Sequence, residues 1–274
     1  MSSDTPQNLP LTSINGKSAS TNLLIIGHRG ASREAPENTL ESFRLAWAEG
    51  ADGIEADFRL TSDDRIVCMH DDTTVRTTGV DLKIADTPLK ELRRLDAGLW
   101  KGAAWAGAVI PTLDEVLAAL PQGSWFFIEI KSGPEIIPHL ETVLLSSGLS
   151  PERIRFLSFS AQLIAILKQR LPNWRTCWLC DYRHNLLNNT WRPSRAEILD
   201  TLDRSGADGL ASANRACLNR DFVETVKGFD KEFHVWTVDR LSAAQRVQNL
   251  GVDSIMTNRP GWLRQKLTQS ENRL

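Results

Sequence analysis

The chain is poor in cysteine, carries no surplus of basic charge and contains no long apolar run, and each shortage removes a class of function. Its four cysteines, Cys68, Cys177, Cys180 and Cys217, show no framework spacing across 274 residues, which argues against a disulfide-stapled secreted fold. Cys177 and Cys180 have the C-x-x-C spacing of a redox pair but fall in an apolar, strand-like run. Residues three apart on a strand face opposite ways, so no bond between them is expected. A net charge of −2 offers no basic field for nucleic acid or a membrane surface, so chemistry on phosphate would have to rest on a few placed cations. No run reaches the length of a membrane-spanning helix. Residues 1–22, polar and rich in Ser, Thr and Asn, lack the basic start and apolar stretch of a signal peptide and read as a disordered tail. These features point to a soluble, cytoplasmic protein.

What is present is ordinary globular composition, 41% hydrophobic and 24% charged, enough for one large barrel or two small domains. Short apolar runs alternate with helical patterns: 23–30, 53–60, 66–71, 124–131, 154–160, 176–181, 207–213, 233–239 and 254–258. Between them lie amphipathic stretches with caps. Asn38 precedes Leu40, Phe43 and Trp47, and Gly50 closes that helix. Thr112 with Glu115, and Ser242 with Gln245, read as capping boxes. Ser160 and Pro134 mark two further helix starts. Strands apolar on both faces, alternating with helices, predict a parallel α/β sheet. No G-x-G-x-x-G turn follows the first strand, which argues against a dinucleotide fold. Residues 72–111, polar with Gly, Asp and Trp, break the rhythm and read as an inserted cap.

The chemistry-bearing residues share a placement. His28, Glu55, Asp57, His70, Glu129, Lys131 and Trp236 fall near the C-terminal ends of strand-like runs, where catalytic groups gather in parallel barrels. Glu55 and Asp57, two apart, project from the same strand face, as do Glu129 and Lys131. Two carboxylates held 4 Å apart repel by about 4 kcal/mol at an effective dielectric of 20. Protonation, ion pairs with Arg29 and Lys131, or a bound cation can offset that cost. Oxygen-only ligands suit Mg²⁺ or Ca²⁺, not zinc. His28 and His70 beside such a cluster can divide base and acid roles near neutral pH, in an order that the sequence leaves open. Arg29 and Lys131 are natural phosphate clamps. Trp236 either packs or walls the pocket against an alcohol or choline-like group. His139, His184 and His234 read as packing histidines with satisfied partners.

The motifs His28-Arg29-Gly30, Pro36-Glu37-Asn38-Thr39, Gly53-Ile54-Glu55-Ala56-Asp57 and His70-Asp71 resemble those of the glycerophosphodiester phosphodiesterases. So do Pro111-Thr112-Leu113, Ile128-Glu129-Ile130-Lys131, Ser158-Phe159-Ser160, Val235-Trp236-Thr237-Val238 and Thr257-Asn258-Arg259-Pro260, in family order over roughly 23–265. The resemblance implies a TIM-type (β/α)8 barrel over 23–268, with a small insertion (72–111) after the second strand. It implies one divalent cation, Mg²⁺ or Ca²⁺, on Glu55, Asp57 and Glu129. It further implies an acid–base pair in His28 and His70, with Arg29 and Lys131 on phosphate. The implied reaction releases glycerol 3-phosphate and an alcohol from a small glycerophosphodiester such as glycerophosphocholine or glycerophosphoethanolamine. The nucleophile is water or the glycerol 2-hydroxyl. Two departures, a long 182–195 connection and the Ala56 and Phe58 flanks, bear on substrate preference. A metal-dependent amidohydrolase would need His-x-His after the first strand, where position 30 is Gly. A non-catalytic phosphate-binding protein would have lost an acid–base or ligand position, and none is lost.

Overall fold

The computed structural model describes residues 23–271; the expected 1–22 tail lies outside them. The strands are β1 (Leu24–His28), β2 (Gly53–Leu60), β3 (Ile66–Cys68), β4 (Trp125–Ile130), β5 (Ile154–Ser158) and β6 (Arg175–Cys180). There follow β7 (Arg183–Asn185), β8 (Thr190–Arg192), β9 (Gly209–Ala213), β10 (Glu232–Trp236) and β11 (Ser254–Thr257). Eight of them run parallel in the order β1-β11-β10-β9-β6-β5-β4-β2, and β2 pairs back onto β1 to close the ring. With helices between the strands this is a TIM-type barrel.

The two-residue alternation of each strand sorts its side chains into two cores. One face holds Ile25, Ile54, Ala56, Phe58 and Phe126 against helix residues such as Phe43, Ala46 and Leu163. The other face holds Ile26, Phe127, Leu157, Cys177, Leu179, Ala211 and Met256, all from strands, which fill the barrel interior. Burying each such Phe or Leu contributes about 1.5–3 kcal/mol. Cys177 sits in the inner core and Cys180 in the outer one, and both are free thiols.

Three local expectations are corrected. The run at 66–71 is not a parallel barrel strand. Only Ile66–Cys68 is extended, and it pairs antiparallel with the protruding end of β2, Phe58 opposite Cys68. The helix Leu40–Ala48 is capped by Thr39, whose side chain accepts from Ser42 N, while Asn38 turns away to another task. The helix Leu241–Asn249 starts after Arg240 with no side-chain cap, so Ser242 and Gln245 form no capping box. The boxes at Thr112/Glu115 and the cap at Ser160 are formed. Residues 72–111 carry short helical turns around a small core of Met69, Ile84, Leu92, Ala97 and Ile110. The long 182–195 connection folds as the antiparallel hairpin β7–β8.

Candidate active site

Strand register brings the acidic residues together. Glu55 pairs across from His28, the last residue of β1, and Asp57 pairs across from Glu129 on β4. Neighbours in parallel register point to the same face, so His28 with Glu55, and Asp57 with Glu129, rise from adjacent strands at two successive levels of one face. Glu55 is only the third residue of β2; it lies at the barrel mouth because it is level with His28 at the end of β1, and β2 runs on past that rim to meet β3. That excursion returns the chain with His70 two residues beyond β3. Arg59 then fixes His70 by donating from Nε and Nη2 to its carbonyl, at 3.1 and 2.8 Å. Lys131 follows β4 directly and Trp236 ends β10. A cavity of about 100 Å³ is lined by His28, Arg29, Glu55, His70, Glu129, Lys131, Phe159 and Trp236.

The turn after β1 is built for this contact. Arg29 (φ 55°) and Gly30 (φ 84°) are both left-handed, and a Cβ on Gly30 would come within 2.2 Å of Ser42 Oγ, so glycine is required there. The turn aims the Arg29 backbone N–H at Glu55 Oε2 (3.0 Å). Its guanidinium meets Asp57 (3.1 Å) and Glu37 (2.8 Å). Asn38, also left-handed, donates from Nδ2 to Asp57 Oδ2 at 2.9 Å and accepts from Asp57 N at 3.2 Å.

Glu55, Asp57 and Glu129 are all buried, with ligand oxygens within 4.8 Å of one another. Burial and repulsion from Asp57 and Glu129 raise the Glu55 pKa well above its usual value. Burial and Asp57 push Glu129 up to about 7. Asp57 goes the other way: burial opposes its charge, but Lys131, Arg29, His70 and Asn38 hold its carboxyl well below the usual range. Lys131 Nζ contacts both Asp57 (3.1 Å) and Glu129. Two cations therefore face three carboxylates, and Glu55 Oε1 is buried with no hydrogen-bond partner. An orphaned carboxylate oxygen, an excess of negative charge and an all-oxygen donor set fit a hard divalent cation.

The two imidazoles are held alike, by different partners. His28 Nδ1 lies 2.8 Å from Asn258 Oδ1. Asn258 Nδ2 in turn donates to Asp239 Oδ2 at 2.6 Å, which makes Oδ1 the acceptor. His28 therefore carries its proton on Nδ1 and bares Nε2 toward the site. Burial, reinforced by Arg29, lowers the His28 pKa to about 4, so the ring is neutral at neutral pH. His70 Nδ1 instead donates to the Asp71 carboxylate at 2.7 Å. Burial lowers the His70 pKa, with Asp57 working against that shift. Arg76, from the 72–111 region, donates to Asp71 (2.5 Å) and to both oxygens of Glu37. Charge-assisted bonds thus run from His70 through Asp71, Arg76 and Glu37 to Arg29.

The profile of the glycerophosphoryl diester phosphodiesterase family matches residues 28–262, the whole stretch that builds this mouth. The chain belongs to that family. It is accordingly an enzyme, a phosphoric diester hydrolase. A glycerophosphodiester phosphodiesterase from Caldanaerobacter subterraneus subsp. tengcongensis is 34% identical over 86% of this chain and 94% of its own. One from Bacillus subtilis is 29% identical over 87% and 84%. A solved Oleispira antarctica phosphodiesterase, in complex with the product sn-glycerol-3-phosphate, has a TM-score of 0.79 at 28% identity, over 89% of this chain and 96% of its own.

Within this phosphodiesterase barrel, Asn38, Asn258, Asp239, Asp71 and Arg76 are the polar supports that isolated residue types did not reveal. Asn and Asp are common in loops, and only their approach across the barrel mouth shows their use. Trp236 is packed and also lines the cavity. Its Nε1 donates to Ala211 O at 2.9 Å, and its ring meets Phe159 edge-on at 5.7 Å on the cavity wall. His234 is buried between Ser254 and Glu232, and His184 stacks on Trp191 in the hairpin. A separate cavity of about 520 Å³, lined by Tyr182, Trp191, Ile198 and Phe222 among others, has no carboxylate or imidazole in its lining. No helix among the described residues is long and apolar enough to cross a membrane.

Proposed function

We propose that this chain hydrolyses small glycerophosphodiesters, such as glycerophosphocholine or glycerophosphoethanolamine, to sn-glycerol 3-phosphate and an alcohol, with His28 and His70 transferring protons beside a divalent cation held by Glu55, Asp57 and Glu129. The observation that carries the reading is the convergence of His28, His70, Glu55 and Glu129 with Arg29 and Lys131 on one cavity, with Asp57 grouped against the two glutamates. The oxygen-only donors favour Mg²⁺ or Ca²⁺. When bound there, the cation supplies Lewis-acid stabilisation of charge on the phosphoryl oxygens.

The chain's own residues do the rest. Arg29 is held against Asp57 and Glu37, and Lys131 against Asp57 and Glu129. Both are oriented before substrate arrives, so they stabilise growing negative charge without reorganising. His28 is neutral, the form required to take a proton from the attacking hydroxyl; burial and Arg29 keep the ring uncharged, against the pull of the Asn258 hydrogen bond, which fixes its tautomer. His70 is backed by an anionic carboxylate, which favours imidazolium and suits it to protonate the leaving alkoxide. Residues 23–268 act as one catalytic barrel with 72–111 as its cap. Four free thiols support a reducing, cytoplasmic setting.

The decisive measurement is release of glycerol 3-phosphate from glycerophosphocholine by the purified protein, with and without EDTA. Activity that needs the cation and is lost in His28→Ala supports the reading. Turnover surviving both chelation and His28→Ala overturns the mechanism, and no release from any glycerophosphodiester overturns the function.

A further inference from the structure

Two cavities meet at His28 and Arg29. The smaller, about 100 Å³, is walled on its far side by Leu157, Leu179, Trp236 and Met256. The larger, about 710 Å³, opens between the turn after β1, the 72–111 region and the loops after β10 and β11. A diester with its phosphorus at the shared residues sends one arm into each. A short three-carbon glycerol suits the closed arm, and the variable alcohol takes the open one.

The open arm is cationic although the chain as a whole is not. Arg33, Lys101, Arg240 and Arg259 line it beside Arg29, with Glu37 and Asp239 as the carboxylates. Both of those acids are committed elsewhere, Glu37 to Arg29 and Arg76, Asp239 to Thr257 and Asn258. Glu34, outside the lining, feels the fields of Arg259 and Lys101. Among the described residues, the exposed Arg33 and Arg240 guanidiniums have neither a hydrogen-bond nor an ion-pair partner. Arg259 lies over Trp262 at 4.0 Å with its Nε buried and unbonded. An ammonium head group gains nothing here, since the one aromatic face in the lining, Trp100, is already met by Lys101 Nζ at 5.3 Å. A cleft of one sign concentrates the opposite charge, and guanidiniums match phosphate oxygens in pairs.

Building on the hydrolysis proposed above, we infer that the larger cavity is the leaving-group arm and that it selects glycerophosphodiesters whose alcohol carries a phosphate of its own. Arg33 and Arg240 at its rim are the specificity-determining residues. The preference is a choice among head groups, made beyond the atoms where the diester is cleaved.

The test compares kcat/KM of the cation-loaded enzyme for glycerophosphoinositol 4-phosphate, glycerophosphoinositol and glycerophosphocholine. The phosphorylated substrate should lead by roughly tenfold or more at low ionic strength, with the gap closing in high salt as screening takes hold. In R33A/R240A, two exposed positions whose replacement does not disturb the core, the lead should shrink by roughly tenfold, mostly through KM. Equal turnover of glycerophosphocholine and the phosphorylated diester overturns the inference and leaves the hydrolase reading standing. So does an equal loss on all three substrates in the double variant. Failure to cleave any of the three overturns the hydrolase reading, and this inference with it.

Discussion

His28 Nδ1 and Asn258 Oδ1 lie 2.8 Å apart although 230 residues separate them in the chain. They meet because β1 and β11 are adjacent parallel strands, and the hydrogen bond selects the histidine tautomer. Asn258→Ala should lower kcat about ten- to hundredfold, a part of what a positioned base contributes, with KM and Tm nearly unchanged. A loss confined to KM would show that the amide contributes to binding and not to proton transfer.

The unequal partners of the two histidines predict unequal dependence on the leaving group. With glycerophosphocholine, His28→Ala and His70→Ala should each lose about 10²–10⁴ in kcat. With a p-nitrophenyl ester, whose alcohol needs no protonation, His70→Ala should come within about tenfold of wild type, while His28→Ala stays impaired. Rescue of His28→Ala by that ester would exchange the two roles.

Asn38 holds Asp57 from two sides, through 2.9 and 3.2 Å hydrogen bonds, so it should tune cation affinity without being a ligand. Removing such a support typically costs ten- to hundredfold in metal binding. Calorimetric titration with Mg²⁺ or Ca²⁺ should show that loss in Asn38→Ala and a larger one in Glu55→Gln. Unchanged affinity in Glu55→Gln would move the ion away from this cluster.

At the opposite end of the strands, Glu232 takes bonds from Arg155 at 2.7 and 2.8 Å and from His234 at 3.2 Å. Burial alone would raise its pKa, but these partners hold the folded value well below the usual range. A depressed carboxylate stabilises the fold above its unfolded pKa, near 4.3, and that contribution disappears as pH falls through the folded value. Glu232→Gln strands the buried Arg155 and should cost about 3 kcal/mol at pH 7, a Tm lower by roughly 6 °C or more. The gap between wild type and variant should narrow below about pH 4.3. A constant gap down to pH 3 would refute this origin.

Cys177 and Cys180 should remain reduced and slow to react. They belong to different cores, and burial pushes the Cys180 thiol up to about 12 and the Cys177 thiol well above its usual value. Alkylation at pH 8, followed by mass spectrometry, should modify the half-buried Cys217 first, since thiolate and access both control the rate. A 177–180 disulfide in native protein would contradict the strand geometry.

Much of the barrel was legible because a strand's two-residue period and a helix's caps are local properties. The run Gly53–Leu60 is a strand over those very residues. Thr112 and Glu115 close their capping box. Where two local signals competed, tertiary contacts decided. Asn38 is as good a cap by type as Thr39, but Asp57 claims its amide. The 66–71 run is apolar enough for a barrel strand, yet it turns back against β2 because the rim of the sheet is open there.

From sequence alone came the parallel α/β alternation and the shared strand faces of Glu55 with Asp57 and of Glu129 with Lys131, since alternation along one strand requires no knowledge of its neighbours; closure into a barrel was implied only by the family resemblance. The tertiary structure alone set His28 level with Glu55 and Asp57 level with Glu129. It also gave one imidazole an amide and the other a carboxylate, and gathered Arg33, Lys101, Arg240 and Arg259 from four separate segments around a single cavity. Those relations depend on interstrand register and ring closure, which no periodicity within a segment encodes.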